Sequence, residues 1–300
     1  RISDERAQRL AVVVLVVSIL AVGGANAALL AEPVEENVEP TRKFAVAYEP
    51  IETAEFDDAL VFIPDPYGPW QNHPFQSLRN DPGLDGEVVY ALDRDPAGDF
   101  AVIDAYPNRT LYRYDYRGEW TPNPDDYVSP KLEALAVRRG PTLAGESTVG
   151  VPNRISRATV RLETDAEATS YDLRTPTDSV TVDWTLTPNE TRLDTVRTAG
   201  RTVDPNTTAI DTADADEVRL LVTLFAPDGS SFTYRQEAGV RTRGGSVEAV
   251  WPPERTVCTL VTRCGSEGTY LPDDPNAHSS WVDFETRLQP VDGSDSAADR

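Results

Sequence analysis

SVTVDWTLT, residues 179–187, places Val180, Val182, Trp184 and Leu186 at every second position, with Thr or Asp between them. Successive strand side chains point to opposite faces, so this period marks a strand with one buried and one wet face. The pattern recurs, strictly or nearly so, in ISRATVRLET (155–164), EVRLLVTLFA (217–226), SSFTYRQEA (230–238), SVEAVW (246–251) and WVDFETRL (281–288). Asp228-Gly229 lies between two of these runs, a good hairpin turn, and Gly244-Gly245 precedes another run. Strands at this spacing, with no convincing helix among them, predict an antiparallel β-sandwich over residues 128–290. Residues 188–216, polar and rich in Thr and Asp, read as a long surface loop, and 291–300 as a disordered polar tail.

Upstream the signals are mixed. KFAVAY (43–48), ALVFI (59–63), VVYAL (88–92) and TLYRYDY (110–116) read as short strands. Ala97 to Tyr106 can form a helix that Pro107 stops, giving strand, helix, strand in a compact βαβ unit. Residues 43–127 are therefore expected to form a small α/β domain, with a boundary at Asn123 to Pro130. Between Pro64 and Gly86 five prolines and three glycines break any regular structure. Long loops inside compact domains are more often functional than idle.

Leu10 to Ala31, LAVVVLVVSILAVGGANAALLA, is 22 residues without a charge. As a helix it reaches about 33 Å, enough for a bilayer core. Arg1, Arg6 and Arg9 precede it, whereas Glu32, Glu35 and Glu36 follow. The positive-inside rule then leaves residues 1–9 as a cytosolic flank and puts 32–300 outside, with 32–42 as an acidic linker. The competing reading is a secretory signal peptide, for which Ala25-Asn26-Ala27 is a passable cleavage site. The apolar run continues beyond that site, which favours an uncleaved transmembrane helix. The chain has no Met at all, so it reads as a segment of something longer.

The net charge is -22 and the basic residues are nearly all Arg, Lys occurring only at 43 and 131. Such a surface repels nucleic acid and anionic headgroups. It fits a protein living in molar salt, where a Debye length of about 3 Å screens self-repulsion; the plainer alternative is an ordinary acidic secreted protein. Cys258 and Cys264, on the outer side, read as a disulfide closing a small loop. Asn108, Asn189 and Asn206 each begin an N-x-T sequon.

Chemistry candidates are few. Trp70, Asn72, His73, Phe75, Arg79 and Asn80 form an aromatic-polar cluster in the breaker-rich loop. Aromatic faces with amide and guanidinium donors suit a sugar or a lipid-linked saccharide; the competing reading is a loop pinned by Trp70 and Phe75 tucked into the core, with His73 capping a backbone group. His73 and His278 are the only histidines, which argues against a paired acid-base mechanism. The strand Val88 to Asp93 ends in Asp93-Arg94-Asp95, a spacing at which two carboxylates can share a hard cation. Acidic residues are so frequent that the spacing recurs at Asp214-Ala215-Asp216, so no metal and no cofactor are expected from it. Asp211–Glu217 and Asp273-Asp274 read as solvated surface before weak Ca²⁺ sites.

One stretch resembles a known family. Glu55-Phe56-Asp57-Asp58-Ala59, then Asn72-His73-Pro74, the strand Val88 to Asp93, Tyr106-Pro107-Asn108-Arg109 and Tyr112-Arg113-Tyr114 carry the likeness. Over about 60 residues they resemble the extracytoplasmic C-terminal region of large multi-pass membrane glycosyltransferases of the dolichyl-phosphate-mannose or aminoarabinose-transfer type, as found in halophilic archaea and bacteria. In that family the carboxylates acting on the lipid-linked sugar lie in loops of the membrane portion. The resemblance therefore implies an accessory domain that is not itself catalytic and that contacts lipid-linked sugar or acceptor. The alternative is a single-span surface protein, structural or adhesive; a pilin-like subunit fits less well because Arg6 and Arg9 interrupt its start.

Overall fold

A computed structural model describes residues 4–65, 74–121, 123, 125–259, 265–272, 274 and 277–291. The fold is mostly β, with an N-terminal apolar helix and two sheets. Helix α1 runs without a break over Asp4–Glu52. Its segment Arg6–Leu30 has a mean hydropathy of 2.4 and is long and apolar enough to cross a bilayer. Leu15, Ile19 and Leu29 on it are exposed.

Two expectations fail here. The linker 32–42 and the strand KFAVAY (43–48) are both part of α1. Pro33 and Pro40 suggest an interruption, because proline removes a helical hydrogen bond. The far end of the helix is nonetheless secured by packing. Phe44, Ala47, Tyr48 and Ile51 fall at i, i+3, i+4 and i+7, one face of a helix. Ala47 is 1% exposed, and Phe44 and Ile51 pack against the same cluster. That spacing competes with a strand reading over six residues, and the helical period wins.

The large sheet begins with three parallel strands: β1 (Ala59–Pro64), β2 (Val88–Asp93) and β3 (Thr110–Gly118). Strand β1 lies between the other two. Helix α2 (Pro96–Ala105) makes the crossover from β2 to β3, so the expected βαβ unit forms with β1 inserted at its centre. Asp95 caps α2, its carboxylate accepting from the Gly98 N–H at 2.7 Å, and Pro96 opens the first turn where a missing N–H costs nothing.

No sheet boundary falls at 123–130. Strand β4 (Val128–Gly140) pairs antiparallel with β3 and carries the same sheet onward. It then pairs with β14 (Ser246–Trp251), which pairs with β13 (Ser231–Arg243). Beyond β13 come β12 (Glu217–Phe225), β6 (Arg157–Glu163) and the edge strand β7 (Ala168–Arg174). Strand β15 (Glu254–Cys258) pairs with the first half of β13. Gly229 and the pair Gly244-Gly245 all take positive φ, as their hairpin turns require.

The second sheet runs β10 (Arg201–Val203), β9 (Glu190–Thr198), β8 (Ser179–Leu186), β5 (Leu143–Gly150), β16 (Phe284–Pro290), with β11 (Ile210–Asp211) also on β9. Residues 188–216 are thus not one loop but three strands with turns. Val160, Leu162, Val182, Trp184, Val222 and Tyr234 are buried between the sheets. Gly145 faces the Trp184 ring: a Cβ there would lie 2.1 Å from Trp184 Cε2. Ser147 Oγ donates to Gln236 Oε1 at 2.8 Å and accepts from Trp184 Nε1 at 3.4 Å, so the polar atoms beside the indole are satisfied.

The two faces of the large sheet differ. On one, α1 packs against Tyr114, Tyr116 and Trp120, and further along the second sheet takes over. On the other lies α2, with Phe100 and Ile103 buried over Leu60, Phe62, Val89 and Leu111. The tail 292–300 lies outside the described residues.

Candidate functional site

Of the aromatic-polar cluster, Trp70, Asn72 and His73 lie outside the described residues. Phe75 is 5% exposed and meets Tyr114 edge-on with centroids 5.0 Å apart, so it is a core residue and not a ligand contact. Asn80 is committed as well. Its side chain donates to the Tyr90 carbonyl at 2.8 Å and accepts the Tyr90 N–H at 2.7 Å, imitating a neighbouring strand along the open edge of β2. Arg79 is exposed.

The motif residues Asp58 and Tyr106 to Arg109 come together at the opposite end of the parallel strands from α2's N-terminus. Arg109 Nη1 reaches Asp58 Oδ1 at 3.1 Å, the Ala59 carbonyl at 3.0 Å and the Glu87 carbonyl at 3.3 Å. The guanidinium also lies over the Tyr106 ring, 5.5 Å from its centroid. One cation thus fastens the starts of β1, β2 and β3, and this part of the motif serves the fold.

The sequon residues Asn108, Asn189 and Asn206 are all exposed. Cys258 is buried at the end of β15, while Cys264, and with it the expected pairing, lies outside the described residues. His278 accepts the Leu271 N–H on Nε2 at 3.1 Å, and burial pushes its pKa down to about 4, so it is neutral and structural. Asp211 caps a turn by accepting the Ala213 N–H, and Asp273 lies outside the described residues.

The chemically unusual place is at the end of β2, around the Asp93-Arg94-Asp95 spacing. Asp93 ends β2, and just beyond the carboxyl ends of the parallel strands a cavity of about 170 Å³ opens under the first turn of α2. Phe62, Ile103, Leu135 and Val250 give it an apolar floor, and Asp93, Asp99, Glu217, Glu237 and Glu254 line it. Alternation explains the gathering. Glu217, Arg219, Arg235 and Glu237 occupy the face of β12 and β13 turned away from the second sheet, and Glu254 stands directly opposite Glu237 in the ladder.

At the centre is Arg113 on β3, 6% exposed. It donates to the Pro252 carbonyl at 2.8 Å and to Glu133 Oε2 at 3.3 Å, and its Nε is 3.4 Å from Asp115. Burial disfavours its charge, but Asp115, Glu254, Glu133 and Asp93 together outweigh that and raise its pKa. Glu133 is also held by Arg255 at 2.7 Å and Lys131 at 3.4 Å. Burial would raise Glu133, yet Lys131, Arg255 and Arg113 carry its pKa below the usual range.

The remaining carboxyls go the other way. Desolvation first, then the Asp99 charge, push Asp93 up to about 7. Asp99 rises to about 6, mainly through desolvation, although the Arg94 N–H and the Asp93 contact oppose this. Glu237 rises to about 8 through desolvation and its hydrogen bond with Glu217, in spite of Arg235. Glu254, also on the cavity lining, is the most solvent-exposed of the five. Among the described residues no group of three or more Asp, Glu, His or Cys is arranged to hold a metal ion. What the arrangement can do is hold protons at neutral pH.

Residues 59–238 match the profile of a domain of unknown function, DUF7846. The chain belongs to this family. The matched region starts at the first residue of β1 and ends within β13, so it takes in the parallel strands, α2 and most of both sheets in one unit. No curated protein and no solved structure matches the chain.

Proposed function

We propose that the chain is a membrane-anchored accessory module of a glycosyltransferase-like membrane protein, its head outside the cytosol and not itself catalytic. The observation that carries this reading is the continuity of α1. A helix apolar enough to span a bilayer runs on to Glu52 and is packed into the head by Phe44, Ala47 and Ile51. From Leu30 to Lys43 the helix rises about 20 Å, a stalk that holds the head at a set height above a membrane partner. The Arg-rich flank before the span and the acidic stretch after it support the outward orientation. The resemblance around Asp58, Asn72, His73 and Tyr106 to Arg109 supports the choice of partner, with lipid-linked sugar or its acceptor as what the head contacts.

The test is sugar transfer in native membranes from cells whose copy lacks residues 53–290 but keeps α1. Loss of transfer to acceptor, with donor-lipid levels unchanged, is the expected result. Full transfer would end this reading.

A second reading, a single-span surface glycoprotein of a halophile, draws on the exposure of all three sequon asparagines. Glycopeptides spanning Asn108, Asn189 and Asn206, from a polypeptide of about 32.9 kDa before glycan, would favour it.

A further inference from the structure

We propose that a second pocket, beside the carboxyl end of β3 and lined by Arg117, Phe232, Glu267, His278, Ser279 and Trp281, binds a neutral oligosaccharide. The proposal rests on the accessory reading above and names where on the head the sugar sits. The pocket holds about 360 Å³, within the range of about 300–1,000 Å³ usual for small-molecule sites.

A pyranose ring has a face of C–H groups and a rim of hydroxyls that both donate and accept. The pocket has a counterpart to each. Trp281 and Phe232 meet edge to face with centroids 4.8 Å apart. Both are only half-buried, and both are backed by the core between the sheets. An aromatic face carries negative potential, which suits C–H groups laid against it.

The polar groups have bonds left to make. His278 Nε2 accepts the Leu271 N–H at 3.1 Å, so the imidazole proton sits on Nδ1, which has no acceptor among the described residues. Arg117 gives one N–H to the Thr269 carbonyl at 2.9 Å and carries four more. The Glu267 carboxylate and the Ser279 hydroxyl are exposed and can accept. Donors and acceptors side by side, with charges of both signs, suit uncharged hydroxyls. An anion would have to approach a chain of net charge -22.

The place of the pocket follows from how α1 meets the head. Lys43 Nζ donates to the Asn123 carbonyl at 3.0 Å, and Phe44 packs beside Trp120, both partners lying past the carboxyl end of β3. Phe56, beyond the other end of the docked segment, meets Tyr112 near the start of β3. Helix α1 therefore runs against the direction of the parallel strands, and their carboxyl ends face back toward the span. Arg117, next to last in β3, puts the pocket at that end, about 20 Å above Leu30. The headgroup layer covers only about 5–8 Å of this height. One sugar on the membrane surface falls short, and a chain of several reaches. The ligand is therefore an oligosaccharide standing on the membrane.

Saturation-transfer NMR on the whole chain tests this, in molar NaCl and a detergent without a sugar headgroup, with linear tetrasaccharides of mannose and of glucose as probes. Saturation should reach the ring protons of at least one probe, and Trp281→Ala should weaken its Kd about tenfold. Because Trp281 also packs on the core, Ser279→Tyr serves as a second variant. It fills the pocket from an exposed position, removes no packed side chain and should abolish binding. Glu285→Gln, on an exposed position of β16, should leave binding unchanged. Saturation of neither probe overturns the proposal, as does binding that Ser279→Tyr leaves intact. The membrane assay above separates the two readings. Loss of sugar transfer without tetrasaccharide binding removes this site and keeps the accessory role. Tetrasaccharide binding with undisturbed sugar transfer removes the accessory role and keeps the site.

Discussion

Tyr114 Oη donates to the Ala47 carbonyl at 2.9 Å, joining residues 67 apart in sequence. That bond ties the last turns of α1 to the third parallel strand, in a pocket where Ala47 has no spare room. Tyr114→Phe removes one buried hydrogen bond and should cost about 1 kcal/mol in denaturant unfolding. Ala47→Phe forces bulk into a filled contact and should cost about 1–3 kcal/mol, with residues 43–52 becoming the first sites of limited proteolysis.

Gly145 is fixed by its neighbour. A methyl group there would overlap the Trp184 indole, which is 1% exposed and stays within β8. Gly145→Ala should therefore destabilise the head by about 3 kcal/mol and change its near-ultraviolet circular dichroism, because either the indole or β5 must shift. Gly200→Ala, with open space around it, lacks that clash but keeps a φ of +73°, and should cost only about 1 kcal/mol.

Arg113 is the buried counter-charge for Glu133 and Asp115. Arg113→Met should cost about 3–5 kcal/mol, because removing one partner strands the others in low dielectric. The acid limb reports the same network. Glu133 has a folded pKa below its ordinary 4.5, so its contribution is present above that value and is lost as pH falls through the folded one. Thermal unfolding between pH 5 and pH 3 should show that loss, and Arg113→Met should move its onset to higher pH.

Arg109 fastens three strand starts through one guanidinium nitrogen. Arg109→Ala should cost about 2–3 kcal/mol, since two carbonyls and Asp58 lose a charged donor. Arg109→Lys should recover only part of this, its ammonium lacking the planar fork. A motif residue serving binding alone would leave unfolding unchanged.

Much of the fold was legible, and the gaps have physical causes. β8 buries every second residue, so its pattern announced it. β9 was read as loop because its inward positions include Thr191 and Thr198, whose hydroxyls bond the backbone at Thr185 and Thr177. β5 puts Gly145 and Ser147 inward because the Trp184 ring takes up the space, so small residues stood where apolar ones were sought. α1 was cut short because its prolines spoke louder than the spacing of Phe44, Ala47, Tyr48 and Ile51. The acid-lined cavity under α2 is the least legible. Asp93 and Asp95 stand out only as a common acidic spacing, and nothing in the sequence says that Glu217, Glu237 and Glu254 line the same cavity as them. In a chain carrying 50 acidic residues, local counting cannot pick out the five that the sheet gathers.

The unbroken α1 sets a compass bearing as well as a height. Each residue inserted between Leu30 and Lys43 would turn the head by about 100° about the helix axis while raising it by about 1.5 Å. Seven residues would restore the bearing to within about 20° at roughly 10 Å greater height. The stalk is thus cut like a key. Under the proposed anchoring, a neighbour of the head would meet the same side of it every time, and a one-residue change in the stalk would present it with another.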